Sequence, residues 1–112
     1  MRANVSIHQE VGVVAPGSSR LSGANLRRLL EATINITPRL VVDLGAVSEI
    51  PADGLATLFF ASRRARSAGG DLKVAGACSS VSAKLAAARA HWTFEIYRET
   101  DTAVESFSRQ CA

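Results

Sequence analysis

The segment from Leu40 to Phe60 constrains the fold more than any other part of the chain. Leu40-Val-Val-Asp-Leu-Gly-Ala-Val47 is an almost unbroken apolar run, Ser48-Glu-Ile-Pro-Ala-Asp-Gly54 is a polar turn, and Leu55-Ala-Thr-Leu-Phe-Phe60 continues at helical spacing. A strand that is apolar at successive positions has to be covered on both faces, as parallel strands of α/β sheets are. A helix that starts directly after such a strand places the turn at the carboxyl edge of the sheet, where α/β folds assemble binding sites. Asp53 falls at that helix N-terminus.

The pattern extends in both directions. Asn4 to Ala15 alternates loosely through Val5, Ile7, Val11, Val13 and Val14, which predicts two short strands turning at Gln9-Glu10, a poor turn dipeptide. After Pro16-Gly-Ser-Ser19, the positions Leu26, Leu29, Leu30 and Ile34 recur at helical spacing, with Ser22 placed as N-cap and Thr37-Pro38 as the stop. Leu40 to Val47 reads as a strand. Leu55, Leu58, Phe59, Ser62 and Ala65 line one side of the helix after the turn, which Gly69-Gly70 ends. Leu72 to Ala77 is a further strand, and Ser79-Ser80 cap a helix carrying Val81, Leu85 and Ala88 on one face. Trp92, Phe94 and Ile96 alternate as a last strand, and Thr100 to Gln110 reads as a helix with Val104 and Phe107 inward.

Helices and strands that alternate in this way predict one α/β domain over residues 1–112, with a mixed, mostly parallel sheet of about five strands and four helices. The loops 16–22, 48–54 and 78–80 then gather along one sheet edge.

Composition excludes several classes of function. An apolar fraction of 47% against 21% charged residues describes a folded globule, not a disordered chain. The longest apolar runs fall far short of the roughly 20 residues of a membrane span. No apolar segment of the secretory type follows Arg2, so the expectation is a cytoplasmic protein without direct membrane insertion. The net charge of +3, from 11 Arg and 2 Lys against 10 acidic residues, is too small to imply nucleic acid, and no aromatic residues interleave with the basic clusters. Arg27-Arg28 and Arg63-Arg64-Ala65-Arg66 read as solvated helix faces. Cys78, Cys111, His8 and His91 have no metal-ligand spacing, so no metal is expected. Cys111 shares a face with Val104 and Phe107 and reads as packing, whereas Cys78, at a strand end near the candidate edge, leaves a redox role open.

Catalytic patterns are equally sparse. Gly17-Ser-Ser-Arg-Leu-Ser-Gly23 is one residue too long for a P-loop, and Ala24-Asn25 stands where Lys and Ser/Thr belong. There is no dinucleotide fingerprint and no Gly-x-Ser-x-Gly elbow. Asp43, Glu49 and Asp53 amount to one buried acid and two loop acids, not a dyad. The chain is expected to carry no catalytic residue and no cofactor. The simplest role for Asp53 is to satisfy orphan N–H groups at the helix start, worth about 0.5–2 kcal/mol.

The order of elements, with Leu40-Val-Val-Asp-Leu-Gly-Ala-Val47, Gly54-Leu55 and Arg64-Ala-Arg-Ser-Ala-Gly-Gly-Asp-Leu-Lys-Val-Ala-Gly76, resembles a STAS domain (sulphate transporter and anti-sigma factor antagonist) over nearly the whole chain. That family has a strand of the type V-V-x-D-L-x-x-V, a D-S-S/T-G-L turn, and a helix that runs into a Gly-Gly-x-L strand start. In its anti-sigma factor antagonists the Ser or Thr before the turn Gly is phosphorylated by a partner that is both anti-sigma factor and histidine-kinase-like ATPase, and phosphate weakens their contact. Here the turn is Pro51-Ala52-Asp53-Gly54, so Pro51 replaces the Asp, Ala52 the first Ser, and Asp53 the phospho-acceptor. Asp53 has no hydroxyl, and a Ser/Thr kinase cannot use it. The loop before the first helix, Ser19-Arg20-Leu21-Ser22, departs from the family pattern as well.

The resemblance implies an anti-sigma factor as partner and a docking edge of Ser22, Ser48, Pro51, Ala52, Asp53, Gly54 and Leu55. An accessory subunit that binds the ATPase of a membrane transporter is the alternative. Small-ligand binding at the loop edge is a third reading.

Overall fold

The computed structural model describes residues 4–17 and 19–110, the side chains of 109 and 110 excepted; Cys111 lies outside the described residues. The elements are β1 (Asn4–His8), β2 (Val11–Ala15), α1 (Gly23–Ile34), β3 (Arg39–Asp43), α2 (Ala52–Ser67), β4 (Asp71–Ala75), α3 (Ser79–Ala87), a 3-10 turn (Ala90–Trp92), β5 (Ile96–Tyr97) and α4 (Thr100–Gln110). They form one five-stranded sheet in the order β1-β2-β3-β4-β5, antiparallel between β1 and β2 and parallel thereafter. The α/β class, the mixed sheet and the four helices are as the sequence predicts.

The apolar runs explain the layering. Val14, Leu40, Val42, Leu72 and Val74 point to one face, where they pack against Leu26 and Leu30 of α1, Leu58, Ala61 and Ala65 of α2, and Val81 and Leu85 of α3. Val11, Val13, Val41 and Ala75 point to the other, beneath Ala103, Val104 and Phe107 of α4. Period-two alternation thus gives two apolar faces, each with its own helices.

The helix α2 ends as its sequence predicts. Gly69 adopts φ +92, and the N–H groups of Gly69 and Gly70 donate to the carbonyls of Arg66 (3.1 Å) and Ala65 (2.8 Å), closing a Schellman motif. The β1–β2 turn forms despite its poor dipeptide. Gln9 and Glu10 both sit at positive φ, 54 and 66, as a two-residue hairpin loop requires, and Thr37 Oγ1 donates to the Glu10 carbonyl at 2.6 Å. Tertiary bonding holds a conformation the two residues disfavour.

Several expectations need correction. The strand expected over Leu40–Val47 stops at Asp43, because the Asp43 carboxylate accepts the Gly45 N–H at 2.9 Å and turns the chain; Leu44 and Val47 stay buried outside the strand. Trp92, Phe94 and Ile96 do not form one strand. Arg89 takes φ 56, Ala90–Trp92 form a 3-10 turn, and only Ile96 and Tyr97 pair with β4. Phe94 is buried against Phe59, with ring centroids 5.6 Å apart, while Trp92 is 70% exposed. Cys78, not Ser79-Ser80, is the N-cap residue of α3, and Ala88 is its exposed C-cap rather than part of the buried face.

One buried group lacked any forecast. Lys73, central in β4, has no exposed surface. Its Nζ donates to Ser106 Oγ of α4 at 2.6 Å, pairs with Glu95 Oε1 at 3.2 Å and lies 4.2 Å from the centroid of the Phe107 ring. A single lysine within Leu72-Lys-Val-Ala75, opposite a helix with Ser106 on its inner face, was the available signal.

Candidate functional site

Three parallel strands that end at the same edge bring their loops together. The Ser19 carbonyl accepts the N–H groups of Ser48 (2.8 Å) and Glu49 (3.0 Å) and the Ser48 hydroxyl (3.2 Å). The Leu21 N–H donates to the Glu49 carbonyl at 3.0 Å, so residues 19–21 run beside 48–49 as a short parallel bridge. On the other side, Ser80 Oγ donates to the Ser48 carbonyl at 3.1 Å, and Cys78 Sγ lies 3.6 Å from the Val47 carbonyl. The described parts of the loops expected to gather, residues 19–22, 48–54 and 78–80, do meet, with Ser48 at their junction.

Asp53 is exposed, and both its oxygens are engaged. The N-cap residue of α2 is Pro51, which has no side-chain acceptor to offer. Asp53 Oδ1 instead accepts the Gly54 N–H in the first turn of α2 at 3.0 Å, while Oδ2 accepts the Gly23 N–H in the first turn of α1 at 3.1 Å. One carboxylate therefore serves two helix N-termini, where orphan donors and the positive ends of two dipoles converge. The expected N-cap of α1, Ser22, holds the position (φ -73, ψ 136), and its carbonyl accepts the Leu26 N–H, but its hydroxyl makes no capping bond. The carboxylate from α2 takes that role.

This arrangement needs the two helix starts in near contact, and glycine permits it. A Cβ at Gly23 would lie 2.7 Å from the Asp53 carbonyl oxygen, and one at Gly54 would lie 2.4 Å from the Leu21 carbonyl oxygen. Gly54 is thus buried as a contact point between α1 and α2. Ser48, Ala52 and Asp53 are exposed, and Ser22, Pro51 and Leu55 are half-buried, with Leu55 packed on the main core.

The other acids at this edge have structural partners. Glu49 pairs with Arg20 at 3.1 Å, and Asp43 closes the turn at Gly45. The Cys78 thiol is exposed and held below its usual pKa, first by its hydrogen bond with Ser80 and then by the Val81 N–H. The largest described recess, about 480 Å³, lies elsewhere, between the β1–β2 hairpin and α4, lined by Ile7, His8, Val13, Asp101 and Val104 among others. The other described recesses lie between α1 and α2 and beside the β1–β2 turn at Glu10, Thr37 and Arg39. No described helix is long and apolar enough to cross a membrane. Sequence reasoning missed the Ser19 carbonyl and Gly23 as parts of the site; a glycine at a helix start was a visible signal, but which chain approaches it was not.

Comparison with known proteins agrees with this fold. The family model for the STAS domain matches residues 6–103. An anti-sigma factor antagonist from Mycobacterium paratuberculosis superposes with a TM-score of 0.85 at 22% identity, over 96% of this chain and 93% of that one. The RsbS protein of Moorella thermoacetica, in a variant with Glu in place of a Ser, gives a TM-score of 0.79 at 17% identity, over 99% and 98% of the two chains. Part of the murine anion transporter Slc26a9 is also similar, with a TM-score of 0.75 at 15% identity, over 89% of this chain and 18% of that one. At these identities the likeness is one of fold. No sequence among the curated proteins matches the chain.

Proposed function

The chain belongs to the STAS domain family, and on that premise we propose that it is a binding protein of the anti-sigma factor antagonist type, acting in the cytoplasm and catalysing no reaction of its own. Its docking surface is the loop edge of Ser22, Ser48, Pro51, Ala52, Asp53 and Leu55, with Gly54 holding the two helix starts together beneath it. The partner is an anti-sigma factor with a histidine-kinase-like ATPase.

The observation that carries this reading is the Asp53 carboxylate, exposed and anchored to Gly23 and Gly54 at the junction of the gathered loops. A side chain fixed by two backbone donors presents its charge at a constant place. It carries about one negative charge where a phosphorylated residue carries about 1.5 to 2. Docking is therefore insensitive to the kinase activity of the partner at this position.

Mixing the protein with the anti-sigma kinases of its host, with and without ATP, and measuring complex formation by calorimetry tests both halves of the proposal. Complexes of equal affinity in the two conditions are expected. Absence of binding to every such kinase would remove the sigma-pathway reading, and phosphoryl transfer to the native protein but not to Asp53→Ala would overturn the constant-charge reading. A second reading is an accessory subunit that binds a transporter ATPase; a fold of this kind also occurs within the chain of an anion transporter. Co-purification with such an ATPase, and not with an anti-sigma factor, would favour it.

A further inference from the structure

The chain carries thirteen Lys and Arg against ten Asp and Glu. Arg27 and Arg28 of α1 and Arg63 and Arg64 of α2 are exposed where these two helices lie side by side, with the half-buried Glu31 among them. Without these five residues nine cations and nine acids remain, so the whole excess of +3 sits on one ridge. Phe60 stands in that ridge, 46% exposed, with the Arg27 guanidinium 5.7 Å from its ring centroid. Glu31 lies 3.2 Å from Arg27 and 3.7 Å from Arg64. Arg28 and Arg63 have no carboxylate partner among the described residues.

We propose that this ridge is a second docking surface, separate from the loop edge, and that it takes an acidic protein segment bearing an apolar side chain. Planar guanidiniums match carboxylates in a two-pronged geometry that lysine cannot reproduce. Glu31, set between Arg27 and Arg64, is an internal example of the group such a segment would bring. Arginine beside an exposed aromatic ring is a composition that protein-binding hot spots favour. A nucleic-acid surface differs: it needs a long track of cations along the phosphates or several rings for the bases. This ridge has four cations and one ring, with Arg27 against the ring and Arg64 lining the same groove. Its occupation does not depend on what binds near Asp53.

The test uses the full chain and a fluorescent peptide of glutamates with one central leucine. Polarisation is followed at low and at physiological salt. Binding that weakens with salt is expected, and Arg28→Glu with Arg63→Glu should weaken it by about tenfold or more. The same charge change placed elsewhere, Lys84→Glu with Arg98→Glu, should leave most of the affinity, and Phe60→Ala should lower it severalfold through loss of the apolar anchor. All four charged positions are exposed, and thermal unfolding verifies that each variant is folded. Equal losses in the two double variants would mean that only net charge matters and would overturn the proposal. So would no binding at low salt, or tighter binding of random-sequence duplex DNA or of phosphatidylserine vesicles than of the peptide.

Discussion

Asp53 and Lys73 each fasten helices with a charged group, one at the open edge of the sheet and the other beneath α4 with no exposed surface. The bonds are similar in kind, since each head group has two polar partners. The surroundings differ. Water can replace either partner of Asp53, so losing its carboxylate costs about as much as an ordinary helix cap. Nothing replaces the partners of Lys73, whose aliphatic stem also fills space between the sheet and α4. Burial, more than bond count, sets how much structure depends on a charged residue.

That comparison can be broken by mutation. Lys73→Ala is expected to cost about 3 kcal/mol through the cavity and the lost partner, read from the midpoint of denaturant unfolding. Lys73→Met, which keeps the volume, should cost under about 1.5 kcal/mol; if the two cost the same, the charge matters more than the space. Gly54→Ala follows at about 2 kcal/mol, because its Cβ meets a backbone oxygen that moves only with α1. Asp53→Ala should cost about 1 kcal/mol, and Asp53→Asn less, since one oxygen still accepts. Salt sharpens the contrast: near 1 M, where the screening length is about 3 Å, the Asp53→Ala deficit should shrink while that of Lys73→Ala stays.

The smallest effect expected is one of pH. A hydrogen bond from Tyr97, and then Lys73, hold the Glu95 carboxyl below the usual carboxylate range, against partial burial, which raises it. A carboxylate whose folded pKa is depressed adds stability above its unfolded pKa, about 4.3, and that stability is lost as pH falls through the folded value. Glu95→Gln should therefore lower stability slightly at neutral pH and leave it nearly unchanged well below about pH 4.3, which flattens the acid limb of the profile. An unaltered acid limb would detach Glu95 from the Lys73 cluster.

The two regions were unequally legible. Short unbroken apolar runs such as Leu40-Val-Val, β-branched and bounded by turn signals, identify buried parallel strands, and from parallel strands the gathering of loops follows. Position 53 was readable as a helix start for the same reason. That its carboxylate reaches across to Gly23 was not, because a bond between residues thirty apart leaves no local pattern. Trp92 to Ile96 misled because alternation over three apolar residues does not distinguish a strand from a turn that buries one ring, and Arg89 at positive φ redirected the chain just before it. The lone Lys73 within an apolar strand was a visible signal, but its burial was not readable from it. A lone cation in a strand ordinarily signals a solvated face, and only the later helix with Ser106 covers it.

The position of α4 in chain order has a consequence during synthesis. Thr100–Gln110 follows all five strands in the chain, so until it docks the sheet surface of Val11, Val13, Val41 and Ala75 has no cover. In that interval the ammonium of Lys73 faces water at the centre of an otherwise sticky patch. The residue that fastens α4 in the finished fold is thereby placed to interrupt, before α4 docks, the kind of apolar surface on which nascent chains adhere.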